Sequence, residues 1–242
     1  MKKVLVVGAS GATGRLLVEQ LLERNYQVKV VVRSPDKFPE ALRTHANLSL
    51  VQASLLDLSD EEMQELVKGC DAIASCLGHN LSFKGLYLDP HRLVTNSVRR
   101  LCEAAKANSP ENPVKFVLMN TTGNINQDRN EKVSFAQRCV LAILRLLLPP
   151  HADNEQAAEY LRTTIGQDDS MIQWVAVRPD GLIDETEVSG YDLHPSPTRS
   201  AIFDSGQTSR VNVGHFMASL VDEDALWSEW KGQMPVIYNQ VV

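Results

Sequence analysis

The residues best suited to chemistry stand near the start of the chain. Gly8, Ser10, Gly11, Ala12, Thr13 and Gly14 follow directly on the apolar run Lys3 to Val7 and lead into a segment of helical period from about Gly14 to Arg24. A strand that turns through glycines into a helix gathers unpaired backbone N–H groups and the positive end of the helix dipole around the turn. Glycine lets the backbone approach a pyrophosphate, so this segment is expected to hold the phosphates of a dinucleotide, with Ser10 and Thr13 adding hydroxyl donors. A structural turn is the plain alternative. At the end of the next apolar run, 19 residues beyond Gly14, comes Arg33, followed by Ser34. NAD-selective sites carry an acidic side chain there for the ribose 2′-hydroxyl, whereas a cation accommodates a 2′-phosphate, so the expected cofactor is NADP(H).

Placing such a loop requires a parallel sheet, and the periodicity of the chain predicts one. Strands are expected at Lys3 to Val7, Gln27 to Val32, Leu48 to Gln52, Asp71 to Ser75, Val114 to Met119 and Ile172 to Val177. Between them helical periods run at about Gly14 to Arg24, Ser59 to Lys68, His91 to Asn108 and Ala152 to Thr164. This alternation is the mark of βαβ units, and it predicts an α/β, Rossmann-type doubly wound parallel sheet. After Pro179 the pattern loosens into a turn-rich stretch, Tyr191 to Pro197, then a helical segment, Val213 to Val221, and a last strand, Met234 to Asn239. Residues 1–242 are expected to form one domain in which about 179–242 make a small C-terminal substrate-side lobe. Val133 to Leu148 is strongly apolar at near-helical spacing; it reads as core or pocket wall, or else as a face for a dimer partner or a hydrophobic ligand.

Composition removes several function classes. The chain has 242 residues and a net charge of −6, with residues 1–110 at +2 and the rest at −8, which argues against a nucleic-acid surface and puts any polyanionic ligand on the N-terminal half. Four cysteines, Cys70, Cys76, Cys102 and Cys139, form no CxxC pair, so neither a metal knuckle nor a dithiol redox motif is expected. The longest apolar stretch, Cys139 to Leu148, holds Arg145 and ends at two prolines, short of a membrane span. No export signal is recognisable, and a cytoplasmic location is expected.

The motifs GASGATG at 8–14, VVR at 31–33, SLLD at 54–57, SCLG at 75–78, MNTTG at 119–123 and VRPDGLID at 177–184 carry a family resemblance. The sequence resembles the atypical short-chain dehydrogenase/reductase superfamily, in particular the group of NmrA-like regulators and biliverdin reductase B-like flavin reductases. The resemblance implies that Asp57 and Leu58 lie along the adenine, although Asp57 or Ser59 capping the next helix explains the acidic residue as well. It implies that Cys76, Leu77 and Gly78 form the turn beneath the nicotinamide ribose. It further implies that Asn120 and Thr121, with Pro179, border the reaction centre, where relatives place one or two serines.

One part of that family's machinery is missing. None of the five tyrosines has a lysine four residues later, so oxidation of alcohols by a Tyr-Lys pair is not expected. In the matching region the chain offers His151, Asp153, Asn154, Glu155 and Tyr160. Thr121 and His151 are the catalytic candidates, His151 because its pKa range suits proton donation near neutrality; a surface role is the plain alternative, as it is for His79. The preferred expectation is an NADPH-dependent reductase passing hydride to a small-molecule acceptor of flavin or quinone type. A non-catalytic NADP(H) sensor acting through a protein partner, a homodimer, and an epimerase or dehydratase stay open.

Overall fold

The computed structural model describes residues 1–79 and 92–240, apart from the side chain of Leu146. Its frame is an eight-stranded sheet. In chain order the strands are β1 (Lys3–Val7), β2 (Gln27–Val32), β3 (Leu48–Gln52), β4 (Ala72–Ser75), β5 (Val114–Met119), β6 (Ile172–Pro179), β7 (Gly181–Ile183), β8 (Tyr191–His194), β9 (Gln207–Ser209) and β10 (Val236–Asn239). The sheet runs β3-β2-β1-β4-β5-β6-β10-β8, while β7 and β9 form a separate parallel pair. All pairings in the large sheet are parallel except β10 with the edge strand β8. Strand order reverses between β1 and β4, whose registers set Val7 opposite Ser75, so the glycine loop and the Cys76 turn leave the sheet side by side.

Residues alternating along each strand feed two cores. Val4 and Val6 of β1, with Val28 and Val30 of β2, pack against α1 (Ala12–Glu23) and α7 (Arg210–Asp222) through Leu17, Leu21, Val213, Phe216 and Leu220. On the other face Leu5, Val7, Ile73, Phe116 and Trp174 meet α3 (Asp60–Val67), α4 (Leu93–Ala107) and α6 (Pro149–Tyr160) through Leu66, Val98, Leu101 and Ala157. A strand buried on both faces must be apolar throughout, which is why β1 reads VLVV without alternation.

Three helices start at a serine that satisfies a first-turn N–H. Ser59 caps α3 in a reciprocal pair with Glu62, Ser134 caps α5 (Phe135–Leu147), and Ser209 caps α7. Capping of α4 comes from another helix: the buried carboxylate of Asp153 accepts from Val94 N at 2.7 Å and Thr95 N at 2.9 Å. The remaining helices are the short α2 (Glu40–Arg43) and α8 (Asp224–Trp230).

Two expectations need correction. Within 179–242, β10 and β8 extend the sheet and α7 lies on α1 in the first core, while β7 and β9 pair apart from the large sheet. Within the turn-rich stretch, Tyr191–His194 pairs with β10 as a strand because that edge would otherwise carry unpaired backbone. The segment Val133 to Leu148 is a helix, yet it is neither core nor pocket wall along its outer side, where Phe135, Ile143 and Leu147 are exposed. The expected helix start at His91 lies outside the described residues.

Candidate functional site

The glycine loop is built so that the chain itself fills two of its three glycine positions. Gly8 has φ +77°, and a Cβ there would stand 2.4 Å from the carbonyl oxygen of Cys76. A Cβ on Gly14 would stand 2.2 Å from the Gly8 oxygen, so the helix is seated directly on the turn. Gly11 differs: its only near neighbour is the Gly8 oxygen at 3.2 Å, and it lies with Ser10 and Ala12 on the exposed rim. Gly11 therefore leaves an approach open from outside. No side chain caps α1 and no acidic residue lies in its first turn, in contrast to the serine- and aspartate-capped helices. The first-turn N–H groups face the rim, an arrangement that fits a pyrophosphate.

Around that rim the other predicted residues divide into free and committed groups. Arg33 is exposed at the end of β2 and pairs with no carboxylate among the described residues; Ser34 beside it is also exposed and makes no capping bond. Asp57 ends a single 3-10 turn and is exposed, because the capping role falls to Ser59. Its turn is fixed by Arg100 of α4, which donates to the carbonyls of Leu56 and Leu58 and pairs with Asp60. Leu58 packs into the second core instead of projecting freely. Cys76 packs on Met217, sulfur to sulfur 3.9 Å, and burial pushes its thiol up to about 12, so it is a filler and not a nucleophile at neutral pH. Leu77 packs on the opposite core, and Gly78 is exposed.

Beyond β5 the chain is braced by its own polar groups. Asn120 donates to the Asn154 carbonyl at 2.8 Å and accepts from Thr121 N at 2.9 Å, joining the strand end to α6. Thr122 N donates to the carbonyl of Pro179, and its hydroxyl donates to Asp180. Thr121 is left half-buried; its oxygen accepts from Gly123 N at 3.2 Å, which leaves the hydroxyl proton to be donated. A Cβ placed on Gly123 would lie 3.2 Å from His151 Cε1, 3.7 Å from Thr121 Oγ1 and 3.9 Å from His151 Nδ1. Thr121 and His151 are thus brought together over the one position that has no side chain.

His151 owes this place to Pro149 and Pro150, which open α6 where a missing N–H costs nothing and set the imidazole on its first turn. Its ring is largely buried. Nε2 stands 3.4 Å from Glu155 Oε1, one turn further along the helix, and makes no hydrogen bond among the described residues. Glu155 is in turn gripped by Arg145 of α5 through Nε at 2.6 Å and Nη2 at 2.9 Å. Burial alone would raise the Glu155 carboxyl, but His151 and Arg145 outweigh it and hold the group below its ordinary value. Arg145 and Glu155 were not singled out from the sequence; the i, i+4 spacing of His151 and Glu155 was the one available signal, and Arg145 belongs to another helix.

The remaining titratable groups of the region serve the frame. His79 donates to or accepts from Asp153 at 2.8 Å, beside the cap of α4. Tyr160 packs in the second core, where burial pushes its phenol up to about 12. No cluster of three or more metal-ligating side chains exists among the described residues.

The NAD(P)H-binding family matches residues 8–224. The chain belongs to that family. Among the relatives of this NAD(P)H-binding protein is an uncharacterized chloroplastic protein of Arabidopsis thaliana, 26% identical over 201 residues, which are 81% of this chain and 65% of the relative. The chain spans less than two thirds of the curated relatives it matches, 65% and 37% of their lengths. A short-chain dehydrogenase/reductase of Veillonella parvula, solved with NADP, superposes with a TM-score of 0.69 at 14% identity, covering 98% of this chain and 94% of that one. A candidate NADH-flavin reductase of Streptococcus pneumoniae gives a TM-score of 0.66 at 16% identity over 99% and 100% of the two chains. Identities this low speak for the shared fold. The fold is that of NAD(P)-binding oxidoreductases, and no described helix is long and apolar enough to cross a membrane.

Proposed function

We propose that this NAD(P)H-binding protein is an NADPH-dependent reductase that passes hydride to a flavin-like or quinone-like acceptor. The observation that carries the reading is the imidazole of His151, set beside Thr121 and the open Gly123 position with the Arg145-bound carboxylate of Glu155 behind it. Glycine-loop N–H groups and Ser10 bind the pyrophosphate, Arg33 and Ser34 the 2′-phosphate, and Asp57 flanks the adenine. Bound NADPH supplies the hydride. Thr121 donates a hydrogen bond to an oxygen or nitrogen of the acceptor. His151 gives that acceptor a proton beside the hydride, so the acceptor gains a hydride and a proton, two electrons and two protons in all, and water returns the proton to the imidazole. A planar acceptor of this kind needs no phenolate, which agrees with the lack of a Tyr-Lys pair. A cytoplasmic location, where NADPH is supplied, goes with this reading.

Anaerobic mixing of protein and NADPH with panels of flavins, quinones and carbonyls, followed by the absorbance of the reduced nicotinamide, tests it. Consumption with flavins or quinones is expected. Tight binding without consumption by any of the three classes would replace the reductase by a dinucleotide sensor.

A further inference from the structure

Helix α5 is apolar on two sides. Gln137 and Leu141 are buried against the body of the protein, while Phe135, Cys139, Ile143 and Leu147, every fourth residue, form a stripe on the outside. Phe135 is 83% exposed, Ile143 55% and Leu147 55%. Phe203, 61% exposed, extends the patch, since its loop is tied to the first turn of α5 by Ser200 Oγ donating to Gln137 Oε1 at 2.9 Å. A contiguous exposed apolar patch of this kind marks an interaction surface.

The charge around the stripe identifies what covers it. From Lys132 to Ala152 the chain has no acidic residue, although the whole protein carries −6. Arg138 and Arg145 lie along one flank of α5, and Lys132 stands just before it. Asn130, Lys132, Ser134 and Arg138 line a recess at the start of the helix; the one carboxylate there, Glu131, is buried in an ion pair with Arg178. Neither Lys132 nor Arg138 is paired with a carboxylate among the described residues. A second copy of this face brings the same cations and no acid to answer them, so self-pairing is disfavoured. An apolar stripe flanked by long cationic side chains matches an anionic lipid surface, with chains taking Phe135, Ile143 and Leu147 and headgroup phosphates taking Lys132 and Arg138. At 13 residues, about 20 Å, the helix can lie in such a surface and cannot cross it.

We propose that α5, with Lys132, Arg138 and Phe203, is a docking face for anionic membrane surfaces. Flotation of the full chain with vesicles of phosphatidylcholine, alone or with about one third phosphatidylglycerol, tests it. Binding to the anionic vesicles is expected, weakened by salt and reduced about fivefold by each of Lys132→Gln and Arg138→Gln. Ile143→Ser combined with Leu147→Ser should abolish flotation while leaving the melting transition in place, because both side chains are more than half exposed. Failure to float with either vesicle overturns the proposal. So does binding indifferent to Lys132 and Arg138, or a dimer in sedimentation that the Ile143 and Leu147 double variant dissolves.

Discussion

The imidazole of His151 faces two ways: Nε2 toward an ionised carboxylate, and the Nδ1 and Cε1 edge toward Thr121 and Gly123. If that arrangement delivers the proton, His151→Gln should lower kcat about 100-fold with little change in KM, and Glu155→Gln should fall between that variant and the unmutated enzyme. Steady-state kinetics on whichever acceptor is consumed measures both. Glu155 also links stability to pH. Because the folded protein holds its carboxyl below the ordinary value, the interaction contributes stability at neutral pH and loses it as pH falls through the acid range below about 4.5. Melting curves should therefore separate Glu155→Gln from the unmutated protein at pH 7 and bring them together near about pH 3. At this scale the glycine loop, Arg33, Thr121 and His151 were legible as residue types at meaningful positions. Glu155 was not, since a glutamate four residues after a histidine is usually a solvated neighbour; only the approach of Arg145 from a different helix makes it part of the site.

Elements were legible where a strand or helix declares itself locally. β1, β2, β3 and β5 are rich in apolar residues and end where expected, and α3 announces its start through Ser59 and Glu62. Elements that depend on distant partners were not. β8 exists because β10 offers it an edge, and the outer side of α5 carries exposed Phe135, Ile143 and Leu147. The loop between β5 and α5 depends on a contact of the same nonlocal kind: Arg178 of β6 and Glu131 are both fully or almost fully buried and meet at 2.7 Å, while the same guanidinium donates to the carbonyls of Met234 and Asn124. This joins the loop that follows Thr121 to the ends of β6 and β10. Glu131→Gln leaves Arg178 charged in the interior and should cost about 3 to 5 kcal/mol. Urea titration would show that loss as a lower midpoint; a midpoint unmoved within error would mean that the pair does not hold the loop.

As a whole molecule the protein is one sheet closed by its own C-terminal residues. Val213, Phe216, Met217 and Leu220 of α7 are all fully buried against α1 and the first strands, and a Cβ on Gly214 would already stand 3.1 Å from the Leu17 backbone nitrogen. A chain ending before Gly206 exposes that core, so it should show no cooperative melting transition; a cooperative transition would mean that α7 is not needed to close the core. The same architecture puts the dinucleotide rim at the β1/β4 reversal, with Arg33 at its outer corner. Arg33 makes cofactor choice the most direct test of the account. A guanidinium pairs with a 2′-phosphate through charge-assisted hydrogen bonds that NAD cannot return. Calorimetric titration of NADP and NAD into the unmutated protein and into Arg33→Ala should show NADP bound about 10- to 100-fold more tightly in the first, nearer tenfold because Arg33 is exposed. In the variant the two affinities should converge through weaker NADP binding, with NAD little changed. Equal affinities in the unmutated protein, or an NADP preference that survives Arg33→Ala, would contradict it.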